Sequence, residues 1–164
     1  CDNKNQNLWI YTADCMPILF ADKDKRRIAA IHCGRKGLEK NIITNTIKSF
    51  EIMGSSRKDI LVSIGPSISG DNYLVDKKTF YNFFSANNLS LSKENEIMRD
   101  LSYLNTDESI PLDIKKYAFL QLLMENLDPN NIDISNKCTH DLPNEFHSWR
   151  RSKNDKRQWS VICS

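Results

Sequence analysis

Cys15 and His32 are the two residues whose types and placement could do chemistry together. They lie in Thr12-Ala13-Asp14-Cys15-Met16-Pro17 and His32-Cys33-Gly34-Arg35-Lys36-Gly37. Apolar runs at 17–21 and 28–31 separate them, around Asp22-Lys23-Asp24-Lys25-Arg26-Arg27, which is a hairpin signature with a polar turn. A turn centred between residues 23 and 24 sets Cys15 opposite His32. A turn centred between 24 and 25 sets Cys15 opposite Gly34, with His32 diagonal on the same face. Opposite Cβ atoms lie about 4.5–5.5 Å apart and diagonal ones about 7–8 Å. Either register therefore lets the two side chains share a metal or touch. A one-residue slip would turn His32 to the other face. Three readings of the pair stay open: a satisfied core histidine beside a buried thiol, two ligands of a zinc site, or an ion-paired nucleophile.

Two basic segments flank the pair. Gly34-Arg35-Lys36-Gly37 opens a predicted helix, where N–H groups and the helix dipole favour anions. His147-Ser148-Trp149-Arg150-Arg151, with Arg157-Gln158 beyond it, offers planar guanidinium forks for phosphate and an indole for a base. Lys36, Arg150 and Arg151 are the candidate phosphate ligands. The same segment also reads as a solvated charge run. Cys138-Thr139-His140 has one intervening residue, too few for usual zinc spacings, and reads as a loop.

The elements that must position these residues follow from periodicity. Strands are expected over 8–11, 17–21, 28–31, 60–64, 132–134 and 159–163. Helices are expected over 37–53, closed by Gly54, over 76–87, and over 112–127. Residues 90–110 are polar and weakly patterned, as expected of a surface excursion. Strands and helices alternate only partly and one hairpin is explicit, so the fold class is α+β, with mixed sheets and helices packed on them.

With 164 residues the chain is expected to form one domain, 1–164, with a real core. Its 23 basic and 21 acidic residues give a net charge of +2, too small to argue for nucleic acid. No apolar run nears the roughly 20 residues that cross a bilayer, so no membrane partner is expected. Five scattered cysteines without a C-x-x-C fit free thiols in a reducing, cytoplasmic setting. The chain starts at Cys1, almost directly in a strand, and is expected to lack an upstream segment.

The ordered set T-A-D-C-M-P-I-L-F-A-D, A-A-I-H-C-G-R-K-G-L, I-G-P-S-I-S with Tyr73 and Val75, C-T, F-H-S-W-R-R and R-Q-W-S-V-I resembles the YfiH-like laccase-domain family. Members of that family have been called multicopper polyphenol oxidases and purine nucleoside phosphorylases with adenosine deaminase activity. The resemblance implies an α/β/β/α sandwich similar to the cytotoxic necrotizing factor catalytic domain. It implies a zinc held by two His and one Cys, of which Cys15 and His32 match two. The third lies in an upstream V-H-G segment that this chain does not contain. Two departures stand out: Cys33 and Arg35 replace the family's Ala and Trp after the His. The implied partners are a purine nucleoside and phosphate. A multicopper array is built mainly from histidines, and three in total cannot assemble one here. Two alternatives stand beside the phosphorylase: a catalytically impaired remnant of the family, and a metal-free Cys–His hydrolase.

Overall fold

A computed structural model of the chain describes residues 5–86 and 109–164. The expected hairpin forms from β2 (Met16–Asp22) and β3 (Ile28–Cys33), antiparallel, with Pro17 opposite His32. Asp22 closes its turn by accepting from the backbone N–H groups of Asp24 and Lys25, each at 2.9 Å. On its other side β2 pairs antiparallel with β4 (Ile60–Ile64), and β4 pairs parallel with β7 (Ile132–Ile134). The result is a mixed four-stranded sheet, ordered β3-β2-β4-β7. A second, two-stranded sheet joins β1 (Asn7–Thr12) to β8 (Gln158–Cys163), antiparallel. The short strands β5 (Leu74–Val75) and β6 (Ile110–Pro111) form a third pair that periodicity does not reveal. The α+β reading with mixed sheets holds.

The helix expected over 37–53 is two helices. Arg35–Glu39 forms α1, Ile42–Ile52 forms α2, and Asn41 between them takes φ 55°. Asparagine tolerates that left-handed region, and the kink lets apolar residues at 38, 43, 47 and 50 all reach one core. Gly54 (φ 87°) terminates the second helix as expected. Lys77–Ala86 forms α3, whose first turn is closed by Asp76 accepting from Thr79 N at 2.7 Å. The remainder of the helix expected over 76–87, at Asn87, lies outside the described residues, as does most of the surface excursion expected over 90–110. The helix expected over 112–127 is α4, Ile114–Met124, capped by the Asp113 side chain and ended at Asn126 (φ 58°).

One face of the four-stranded sheet carries Met16, Ile18, Phe20, Ile60, Val62 and Ile64, all buried in a core shared with the helices. Ile43, Ile47 and Phe50 come from α2, and Tyr117, Ala118 and Leu122 from α4. The helix α3 adds an aromatic cluster in which Phe83 meets the Tyr117 ring edge-on at 4.8 Å. Phe83 is fully buried. Phe83→Ala is therefore expected to cost about 3–5 kcal/mol through lost transfer energy and a residual cavity. A lowered urea midpoint at unchanged m-value checks it.

Candidate functional site

Cys15 precedes β2 by one residue and His32 is the penultimate residue of β3. The ladder pairs Met16 with Cys33 and Pro17 with His32, so the next position sets Cys15 against Gly34. This is the second of the two registers, and it leaves His32 diagonal to Cys15. Both side chains line one cleft of about 400 Å³. Gly34 keeps the approach open: a Cβ there would lie 2.5 Å from Cys15 Sγ. Its backbone (φ −99°, ψ −174°) suits any residue, so the requirement is space alone. Gly34→Ala is expected to fold while driving the Cys15 thiol out of its position.

The loop carrying Cys15 is fixed by Asp14. Its Oδ1 accepts from Thr139 Oγ1 at 2.8 Å and its Oδ2 accepts from Arg150 N at 2.7 Å. Its carbonyl accepts from Ile68 N at 2.9 Å. Thr139 and Ser67 are fully buried beside this loop. Asp14 thus joins the strand entry, the segment after β4, and the start of α5 (Trp149–Ser152) into one cleft floor. The hydroxyl of buried Ser148 caps α5 by accepting from Arg151 N at 3.2 Å. That short helix, unforeseen from periodicity, presents Trp149 and Arg150 to the cleft.

The candidate phosphate ligands separate into two kinds. Arg150 lines the cleft, its guanidinium 5.0 Å from the Tyr73 ring centroid. Lys36 lines a shallower continuation of it, with Gly34 and Gly37. Arg151 does neither. Its Nη1 donates to the carbonyls of Thr139 (2.7 Å) and His140 (2.6 Å), and its Nη2 donates to that of Phe146 (2.8 Å). Three backbone carbonyls hold its fork, so its role is to fix the loop behind the site. The helix expected to draw anions at residues 34–37 is the five-residue α1, whose dipole is correspondingly small. The cations themselves carry the attraction there.

Two cations were not singled out as site residues in the sequence. Arg35 lines both parts of the cleft, held by Glu39 on one side and the Tyr73 hydroxyl on the other. Arg157 lines the deeper part, and its charge bears on both Cys15 and His32. Burial, with Asp14 adding to it, raises the Cys15 thiol above its ordinary pKa, against a pull from Arg157. Burial lowers His32, Arg157 adds to that, and a hydrogen bond to Tyr11 opposes it. Both shifts favour the uncharged thiol and imidazole over a thiolate–imidazolium pair. Cys33, its side chain on the core face, is pushed up to about 12 by burial, with Cys15 adding to it, and is inert packing.

The family model for multi-copper polyphenol oxidoreductase laccase matches residues 1–164. The chain belongs to that family. It is 32% identical to a purine nucleoside phosphorylase of Synechocystis, over 99% of this chain and 66% of that protein. It is 32% identical to the purine nucleoside phosphorylase YlmD of Bacillus subtilis, over 93% of this chain and 52% of that protein. Among solved structures, Bacillus licheniformis YfiH aligns with a TM-score of 0.85 at 25% identity, covering 99% of this chain and 60% of its own. Thus the chain spans between about half and two thirds of the length of these relatives.

The three histidines of this laccase-family chain stay apart. His32 lines the cleft, His140 sits 3.2 Å from the Asp141 carboxylate, and His147 is exposed with its backbone N–H on Gln158. Among the described residues no three His, Cys, Asp or Glu side chains converge as a metal set. Cys15 and His32 are donors of a kind zinc accepts, but they are one short of the three that a catalytic zinc usually has. Among the described residues, no helix is long and apolar enough to cross a membrane.

Proposed function

We propose that the cleft around Cys15 and His32 is the working half of a purine nucleoside phosphorylase site. The observation that carries this reading is the joining, in one cleft, of an aromatic and apolar wall with several cations beside the Cys–His pair. Tyr73, Trp149, Ile68 and Ile114 form a surface suited to a purine. One face of Trp149 is already covered by Lys153 Nζ, 3.9 Å from its ring centroid, which leaves the other for a base. In this reading Lys36 and Arg150 are phosphate ligands, each lining a part of the cleft. In phosphorolysis a phosphate oxygen forms the new bond to the ribose anomeric carbon. The glycosidic bond to N9 breaks, and the purine leaves with the electron pair and takes up a proton. Fixed cations lower that barrier by holding the attacking anion and meeting charge as it develops.

Names of relatives support the phosphorylase reading. Zinc dependence and adenosine deamination are our extension of it. In this reading Cys15 and His32 are two zinc ligands, and the third comes from polypeptide outside the described residues. Deamination at the same cleft needs a water that ionises near neutral pH, the chemistry a bound zinc supplies. The raised Cys15 thiol speaks against a free nucleophile, because a protonated thiol attacks poorly, and a metal there would have to displace the thiol proton. Orthophosphate-dependent release of hypoxanthine from inosine tests the phosphorylase. Release that is unchanged in both Cys15→Ala and His32→Ala would remove this site from the reaction. Gly34→Ala is expected to weaken zinc binding about 10–100-fold, the range typical of disturbed ligand support, at near-normal stability. Metal titration with a parallel melt checks it.

The incomplete donor set favours a second reading, a family remnant that keeps the scaffold without turnover. Stoichiometric, tight zinc on the purified protein speaks against the remnant.

A further inference from the structure

The cleft holds more cationic side chains than one bound orthophosphate needs at one place. Lys36 lies only in the shallow part, Arg150 and Arg157 only in the deep part, and Arg35 in both. The carboxylates nearby answer only Arg35 among these charges. Asp14, the one carboxylate lining either part among the described residues, turns its oxygens to Thr139 and the Arg150 backbone. Glu39 is held on Arg35. Arg157 donates to the carbonyls of Asn154 (2.9 Å) and Lys156 (2.8 Å), neutral partners that orient its guanidinium and leave its charge standing. Arg150 likewise donates to the Leu74 carbonyl at 3.2 Å and stacks on Tyr73.

A neutral nucleoside in the deep part would cover these two guanidiniums without an anion, and covering an uncompensated charge is costly. Their planar forks suit a phosphate, and they stand beside the aromatic wall suited to the base. We propose that the cleft takes a purine nucleoside carrying its own phosphate, a nucleoside 5′-monophosphate. That phosphate sits at Arg150 and Arg157, and orthophosphate sits at Arg35 and Lys36. This deepens the phosphorylase reading and rests on it for the second anion. The balanced reaction joins orthophosphate to the anomeric carbon and breaks the bond to N9. It yields free purine and ribose 1,5-bisphosphate.

Calorimetric titration with inosine and with inosine 5′-monophosphate, each with and without saturating orthophosphate, tests the assignment. The monophosphate is expected to bind at least about tenfold more tightly, the scale of one charge-assisted contact, and to keep that advantage in orthophosphate. The advantage is expected to shrink in Arg157→Gln. Equal affinities, displacement of the monophosphate by orthophosphate, or an advantage untouched in both Arg150→Gln and Arg157→Gln would each overturn it. Hypoxanthine release in the same samples separates the two readings. Inosine turnover without a monophosphate advantage overturns this substrate class and leaves phosphorolysis standing. A binding advantage without purine release from either ligand retains the substrate class and overturns phosphorolysis. Failure of both ligands to bind overturns both.

Discussion

Cys15→Ala is expected to reduce inosine phosphorolysis by about 10²–10⁴-fold, the range typical when a positioned catalytic group is lost. The side chain is half-buried and its thiol borders the cleft, so little packing goes with it. Unfolding free energy should change by less than about 1 kcal/mol, as for substitutions away from the core. A large kinetic loss at nearly constant stability is the signature of a group that acts on the reaction. Measured kcat/KM beside a urea titration gives both numbers. A second measurement assigns the role. With zinc removed, Cys15 should react slowly with a mild electrophile at neutral pH, because burial keeps the thiol protonated. Rapid labelling would instead favour the metal-free hydrolase.

Asp14→Ala is expected to be the most destabilising change in the cleft floor. It removes two short hydrogen bonds to a carboxylate that is only 9% exposed. Each such bond is worth about 1.5–3 kcal/mol, and the fully buried Thr139 hydroxyl is left without that acceptor. A total loss of roughly 3–5 kcal/mol follows. Asp14 also sits at φ 88°, where a Cβ is unfavourable. Asp14→Gly should therefore recover about 1 kcal/mol relative to Asp14→Ala, although it makes neither hydrogen bond. Equal stabilities of the two variants would show that strain at this position is negligible. Both variants should lose activity beyond their effect on folding, because Asp14 orients the loop bearing Cys15 and the backbone of Arg150.

Much of the fold was legible in residue order because its signals are local. The polar turn at residues 22–27 between two apolar runs specified the hairpin, and helical spacing specified α2 and α4. The break at Asn41 was not legible: apolar spacing continues across it, and tertiary packing selects the left-handed turn. The pair β5–β6 was hidden for another reason. Two-residue strands carry no measurable alternation, and their partners lie far apart in the chain.

The chemistry divides along the same line. Residue types and the hairpin set Cys15 and His32 on one face in both candidate registers, and the folded ladder excluded the one-residue slip that would have parted them. Ordered motifs also determined the family. Which cations face the cleft was decided only in three dimensions. Arg150 and Arg151 are neighbours in sequence, yet α5 turns one toward Tyr73 and the other into three carbonyls. Arg157 reaches the pair from residues far along the chain because β8 pairs with β1, and Asp14 gains its partners 125 and 136 positions away. A charge's position in the chain is local information, whereas the direction its side chain takes depends on contacts that exist only after folding.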